Sequence, residues 1–217
     1  PVAVLMLISP LMGGFDSGWT AYPPLSVLNA SGQLLVLLAF LTFGLSSILG
    51  GLNFVTTIIL FRAPGMTWSR IPIFVWSIFA AALLSVTATQ FVAYGLLTVI
   101  LDRVAGTSFY NPAEGGNPLL YEHIFWFYSH PAVYIMVLPG FGIGLEVITH
   151  FSRKPLFAYK WAAGSFIAIA AMSFIVWAHH LFTSGMPDYL HLPFMISTEL
   201  ISIPTGVVFL CGLGTIW

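Results

Sequence analysis

An all-α bundle of membrane-spanning helices is the fold that this sequence predicts, and three observations predict it. Hydrophobic residues make up 59% of the 217 residues and charged residues only 6%, whereas roughly a quarter of the residues are charged in soluble domains. The mean hydropathy is +0.97. A charge-free stretch separates Asp16 from Arg62, and roughly twenty apolar residues suffice to cross a bilayer. Because backbone groups in lipid must pair within their own segment, we expect these segments to be helices.

The chain is expected to cross the membrane in five spans joined by short connections. The spans are predicted at about residues 31–61, 71–101, 124–148, 158–182 and 192–217, and residues 2–12 are expected to be the end of an earlier span. The connections contain turn formers such as Ala63-Pro64-Gly65 and Asn111-Pro112. The sequence lacks an internal repeat, so residues 1–217 are expected to form a single transmembrane domain. Both termini lie in apolar runs, which predicts an internal fragment of a longer protein.

Charge predicts the orientation and excludes some functions. Five of the six basic residues lie between spans one and two or between spans three and four, namely Arg62, Arg70, Arg153, Lys154 and Lys160. Acidic residues at the opposite end are Asp16, Asp102, Glu114, Glu122 and Asp188. By the positive-inside rule the basic connections face the cytoplasm. The formal net charge of −1 argues against nucleic-acid binding, and the single cysteine, Cys211, excludes an intrachain disulfide.

Three of the six histidines lie inside predicted spans, where ionisable groups are costly and usually mark a functional site. His130 is expected about six residues into span three, roughly 9 Å from its outer edge. His179 and His180 precede the outer end of span four. Because the two motifs reach a similar depth, we expect one shared site, and three imidazoles are enough to hold a copper or zinc ion.

Each of these residues also has a structural interpretation. Pro131 can bend the helix and aim His130 inward, but buried, hydrogen-bonded histidines also occur in transporters. Tyr134 lies four residues after His130 on the same helix face, where a phenol could supply an electron and a proton to a redox metal, or could simply fill the core. Tyr128 and Ser129 could place a hydroxyl beside Ala132, or could serve helix packing.

Six ordered motifs carry a family resemblance that runs along essentially the whole chain. They are residues 16–25 (DSGWTAYPPL), 51–57 (GLNFVTT), 63–66 (APGM), 126–134 (WFYSHPAVY), 177–185 (WAHHLFTSG) and 203–206 (IPTG). With these motifs the chain resembles subunit I of the haem–copper oxygen reductases, the cytochrome c oxidase family. The resemblance implies that the chain is a fragment of a twelve-helix subunit. It also implies that the complete enzyme reduces dioxygen to water and couples this reaction to proton pumping.

The resemblance also implies roles for individual residues. His130, His179 and His180 would bind the copper of the binuclear centre, copper B. Tyr134 would be covalently joined to His130 and would donate an electron and a proton when the O–O bond breaks. The high-spin haem pocket would be lined by Trp126, Val133, Thr205 and Gly206. The haem-iron ligands, including those of the low-spin haem, would lie on helices outside this chain.

The implied partners are oxidase subunits II and III, cytochrome c or another small electron donor, O2 and the lipid bilayer. A prokaryotic plasma membrane is favoured over the mitochondrial inner membrane, because the Tyr128-Ser129 pair resembles prokaryotic forms. A quinol oxidase is the nearest alternative, and a non-catalytic transporter with structural histidines is a further one. A nitric oxide reductase is disfavoured because that branch lacks the tyrosine represented here by Tyr134.

Two positions depart from the common family pattern. Ala132 stands where most members have a glutamate, and in the subgroup with Tyr128-Ser129 the tyrosine hydroxyl is thought to replace that carboxylate in a proton route. Val208 stands where many members have a lysine that serves a second proton route. Glu199 could belong to an altered route, although it lies about 13 Å from Val208 along a helix. Alternatively, Glu199 pairs with a neighbouring helix or subunit.

Overall fold

The computed structural model describes residues 1–28 and 30–217, and helices dominate these residues. In chain order they are α1 Val2–Ile8, α2 Leu25–Leu28, α3 Ser31–Leu60, α4 Ile73–Ala105, α5 Pro118–Ser152, α6 Tyr159–Met172, α7 His191–Leu200 and α8 Ser202–Ile216, with 3-10 segments at Ser9–Met12, Pro112–Glu114, Ser173–Ile175, Trp177–Leu181 and Asp188–Leu190. Within the described residues, five helical stretches are long and apolar enough to cross a membrane: Ser31–Leu60, Ile73–Val104, Pro118–Ser152, Tyr159–Leu181 and Asp188–Ile216. The predicted all-α membrane bundle is confirmed.

Helix α4 packs against α3, α5 and α6 and so lies inside the bundle. Small residues allow the close approach, as is usual for membrane helices. A Cβ added to Gly51 of α3 would lie 3.0 Å from the Cβ of Ser85 on α4. A Cβ added to Gly142 of α5 would collide with the side chain of Ser77 on α4. We call the end of the bundle with the α3–α4 and α5–α6 connections the basic end, and the opposite end the acidic end.

Helix α5, which carries His130, begins six residues before the predicted start of span three. The Asn117 side chain accepts a hydrogen bond from the Leu119 amide at 3.0 Å, and Pro118 occupies the first helical turn. Both features stabilise a helix N-terminus at this point. His130 therefore lies twelve residues from the start of its helix, which is about 18 Å along the axis; the expected 9 Å was counted from the predicted start of the span.

Spans four and five are interrupted, whereas the sequence predicts continuous helices. Helix α6 ends at Met172, and the chain continues in two 3-10 segments separated by Val176. In span five, α7 ends at Leu200 and α8 begins at Ser202. Pro204 explains this second break, because a proline lacks the amide that would bond to the carbonyl four residues earlier.

The connection into α5 is fixed at the acidic end by a buried carboxylate. Asp102 accepts hydrogen bonds from the Thr107 hydroxyl at 2.6 Å and from the amides of Phe109 and Tyr110 at 2.9 and 3.0 Å. The Tyr110 hydroxyl pairs with Thr98 of α4 at 2.5 Å, and burial raises the pKa of Tyr110 above its ordinary value. These bonds anchor the start of α5 to the end of α4.

Candidate metal centre

The structure brings together the three histidines that the sequence predicts as metal ligands. His130 extends from α5, and His179 and His180 extend from the 3-10 segment Trp177–Leu181. One nitrogen of each lies within 4.8 Å of the others, and His130 Nδ1 is 3.2 Å from His180 Nε2. Metal–nitrogen bonds of about 2.0 Å place tetrahedral ligand nitrogens roughly 3.3 Å apart. The His130–His180 distance is close to this value, so the three rings are close enough to converge on a single ion.

His130 is buried, and one of its two ring nitrogens is unpaired within the part of the chain that the structure describes. The side chain is 6% exposed, and its Nε2 has no hydrogen-bond partner among the described residues. Because Nδ1 is the nitrogen that lies 3.2 Å from His180 Nε2, Nε2 is on the opposite side of the ring and is a separate buried atom that needs a partner of its own. Imidazole donors without thiolates or carboxylates suit copper and zinc.

A threonine on the neighbouring helix α7 orients one of the three rings. His179 Nδ1 lies 2.9 Å from the Thr198 hydroxyl, which leaves Nε2 of His179 available as a ligand. Partners of this kind fix the tautomer and orientation of metal-binding histidines. Sequence reasoning missed Thr198, because its contact with His179 depends on how α7 folds back against the 3-10 segment.

An aromatic residue predicted to line a haem pocket lies directly against another of the rings. Trp126 stacks on His180 with ring centroids 3.7 Å apart and an interplanar angle of 8°. Its indole Nε1 donates a hydrogen bond to the Tyr22 hydroxyl. Burial raises the pKa of Tyr22 above its ordinary value, the Trp126 hydrogen bond opposes that rise and the Glu122 carboxylate adds to it. Trp126 thus links His180 to the loop before α3.

Tyr134 lies beside His130 on α5, as their spacing predicts. The centroids of the two rings are 5.0 Å apart with an interplanar angle of 61°. The phenol is half-buried and contacts the apolar core between α4, α5, α6 and α8. At this distance the phenol could supply an electron and a proton to a metal bound by His130.

Tyr128 and Ser129 line a cavity between α3, α4 and α5 rather than the histidine cluster. This acidic-side cavity has a volume of about 250 Å³, and Ala132 and Val133 are also in its wall. A second, basic-side cavity of about 270 Å³ follows along the same three helices and includes Ser47, Ser85 and Pro139 in its wall. The position of Tyr128 agrees with a proton route on this side of α5.

The remaining predicted site residues lie on α7 and α8. Thr205 donates a hydrogen bond to the Ile201 carbonyl at 2.9 Å, and the space beside the Cα of Gly206 is open to 4 Å. Glu199 is exposed on α7 and directly follows Thr198. Val208 is buried in an apolar cluster with Leu145, Cys211 and other core residues.

Comparisons with known proteins agree with this arrangement. The family described as cytochrome c and quinol oxidase polypeptide I matches residues 1–217. Relatives named cytochrome c oxidase subunit 1 occur in Thermostichus vulcanus, at 46% identity over 218 residues, and in Synechocystis sp., at 47% over 218 residues. Both alignments cover 100% of this chain and 40% of the relative. A relative of the same name in Bacillus subtilis is 42% identical over 217 residues, covering 99% of this chain and 35% of its own.

The chain thus spans about two-fifths of the length of the curated relatives it matches. The five spans found among the described residues, together with the bacterial relatives, identify a multi-pass protein of a prokaryotic plasma membrane.

Proposed function

This chain belongs to the cytochrome c and quinol oxidase polypeptide I family, and from that premise we propose that it is part of the catalytic subunit of a respiratory terminal oxidase. The complete protein would reduce O2 to water at a haem–copper centre and couple the reaction to proton pumping. The cluster of His130, His179 and His180 carries this proposal. Cytochrome c is the proposed electron donor, since the relatives are named cytochrome c oxidases. Subunits II and III are the proposed partners.

The three histidines are the proposed ligands of copper B. When bound, copper and haem supply the redox chemistry of oxygen reduction, which amino-acid side chains cannot supply. The protein positions the ligands: Thr198 fixes the ring of His179, and Trp126 restricts the ring of His180 by stacking on it. This preorganisation lowers the reorganisation needed when the metal site changes charge.

The high-spin haem is proposed to lie against Trp126, Val133, Thr205 and Gly206. Two observations support these residues. Val133 is 44% exposed beside the acidic-side cavity, and the space next to Gly206 is open. A large planar group would cover these surfaces. The iron ligands are expected elsewhere in the full-length protein.

Tyr134 is the proposed donor of a proton and an electron to oxygen. Its position beside His130 supports this role. Tyr128 and Ser129 are proposed to carry protons on the α3–α4–α5 side of the site, where Tyr128 lines a cavity and Ala132 offers no titratable group. The hydroxyl of a tyrosine can both donate and accept a hydrogen bond.

Glu199 is proposed as part of an altered second route. Glu199 is exposed on α7 next to Thr198. By contrast, Val208, which stands where many family members have a lysine, lies in an apolar cluster. An ionisable group at this depth is a functional candidate by default. Glu199→Gln is expected to slow turnover of the full-length complex. Normal turnover in this variant would instead support a pairing of Glu199 with a neighbouring helix or subunit.

Carbon monoxide photolysis of the reduced full-length complex, followed by infrared spectroscopy, tests the proposed function. A light-driven transfer of the ligand from haem iron to a copper carbonyl is expected, and it should be lost when His180 is replaced by Ala. An intact, haem-loaded complex that forms no copper carbonyl would contradict the oxidase proposal. That result would favour a transporter with structural histidines.

A further inference from the structure

One buried threonine on α4 lacks the hydrogen bond that five other threonines in the described spans share. A threonine in a helix commonly donates to the carbonyl four residues earlier. Such bonds, at 2.7–3.0 Å, are formed by Thr42, Thr87, Thr98, Thr205 and Thr215. Thr89 is completely buried, yet its hydroxyl has no hydrogen-bond partner among the described residues. Leaving a buried hydroxyl unpaired is unfavourable, so its position needs an explanation.

Thr89 lies between the two cavities that follow the α3–α4–α5 interface. The basic-side cavity touches α4 at Ser85, and the acidic-side cavity touches it at Val92. Thr89 is one turn beyond Ser85 and faces Gly44 of α3, whose added Cβ would meet the Thr89 methyl group at 3.4 Å. Residues four apart share one helix face. The hydroxyl therefore occupies the gap that separates the cavities.

Polar groups continue on both sides of Thr89. On the basic side, the Ser85 hydroxyl donates to the Ser47 carbonyl at 2.8 Å. On the acidic side, the Tyr128 hydroxyl lies next to the Thr89 hydroxyl, although the pair does not have the alignment of a good hydrogen bond. A water molecule can occupy a polar site of this kind when it has two or more partners. A water molecule bound beside this pair would give the Thr89 hydroxyl the partner that it lacks within the described chain.

We propose that Thr89 is a relay residue that passes protons, through bound water, from the basic-side cavity to Tyr128. The proposal rests on the proposed oxidase function and adds to its proton route a residue that the route so far lacks. A hydroxyl has one donor and two acceptor sites. As Thr89 Oγ1 accepts a proton from water on the basic side, it releases its own proton to the water at Tyr128, so its charge does not change. The hydroxyl then rotates back before the next transfer.

Thr89→Val in the full-length complex is the test, because valine keeps the shape and removes the hydroxyl. Proton uptake during a single turnover is expected to slow by about tenfold or more. Thr89→Ser should retain most of the rate, since it keeps the hydroxyl. Thr87→Val is the matched control: Thr87 lies two residues away on α4, but it is exposed and bonded to the Leu83 carbonyl. This control is expected to behave as the unmodified complex.

A second measurement does not depend on activity. In the infrared difference spectrum of carbon monoxide photolysis, an O–H band that shifts in H2(18)O is expected, and it should be missing in Thr89→Val. The copper carbonyl must persist in every variant, and its absence from the unmodified complex would contradict the oxidase function rather than the relay. With that carbonyl present, uptake in Thr89→Val within twofold of the unmodified rate would overturn the relay. Equal slowing in Thr87→Val would overturn it as well.

Discussion

At the residue scale, Thr198 contacts the ring of His179, a proposed copper ligand. Its hydroxyl lies 2.9 Å from Nδ1, so the other ring nitrogen remains free for a bond to the ion. Thr198→Val keeps the shape of the side chain and removes this partner. Loss of such a partner typically weakens metal binding by about 10–100-fold, and we expect a loss of that size for copper. Competition titration of the full-length complex with a copper chelator measures it.

Thr149→Val is a suitable control for that experiment. Thr149 also lies in a membrane helix, but its hydroxyl bonds to the Glu146 carbonyl of the same helix at 2.8 Å. The control should bind copper with unchanged affinity. Equal copper affinities in the Thr198 and Thr149 variants would show that the Thr198 contact does not orient His179.

Tyr128 provides a second prediction at this scale. Its hydroxyl is at the acidic-side cavity, and removal of that hydroxyl in Tyr128→Phe should slow proton uptake and reduce pumping while leaving the copper site intact. Tyr94→Phe is the control, because Tyr94 lies on α4 with 52% of its surface exposed. Proton pumping and O2 consumption of the complex in lipid vesicles are the measurements. Unchanged turnover and pumping in Tyr128→Phe would refute its role in the route.

Single residues also show what sequence reasoning can and cannot supply. The sequence could predict a cluster of His130, His179 and His180, because an ionisable side chain in an apolar span is rare. The neighbour relation of His130 and Tyr134 was predictable because it depends only on helix periodicity. The contacts of Thr198 and Trp126 with the histidine rings were not, because they depend on where the 3-10 segment Trp177–Leu181 places those rings.

At the element scale, close packing at Gly142 sets the position of α5, the helix that carries His130, against α4. A Cβ added to Gly142 would collide with the Ser77 side chain and would lie 3.1 Å from the Cα of Phe74, so Gly142→Ala must push the helices apart. Overpacking of this kind costs about 1–3 kcal/mol. We expect a lower thermal unfolding midpoint of the complex in detergent, together with weaker copper binding. Gly140→Ala is the matched control, because it adds a methyl group to the same helix in open space.

The breaks in spans four and five mark the limit of prediction for the elements. Hydrophobicity and length identify a span but do not distinguish an α-helix from a 3-10 helix within it. The break at Ile201 has a visible cause in Pro204. The change at Val176 has no comparable signal, since residues 173–181 contain neither glycine nor proline. Tertiary packing around the histidine cluster therefore determines the local geometry there.

At the scale of the whole molecule, the positions of the basic residues predict which way the proton route runs. The basic end should face the cytoplasm, so the basic-side cavity at Ser47 and Ser85 would lie nearer the source of protons and Tyr128 would lie farther from it. Ser69→Cys at the basic end and Ala113→Cys at the acidic end test this orientation, because both positions are exposed. The native Cys211 is buried and should react little.

A membrane-impermeant maleimide, applied to sealed cells that express the full-length protein, should label Ala113→Cys immediately. Ser69→Cys should react only after the membrane is permeabilised, and labelling of the protein without either substitution provides the background. The opposite pattern would place the basic end outside, in violation of the positive-inside rule. Protons passing Ser85, Thr89 and Tyr128 in that order would then come from the wrong side of the membrane, and the proton route would have to be abandoned even if the copper site were intact.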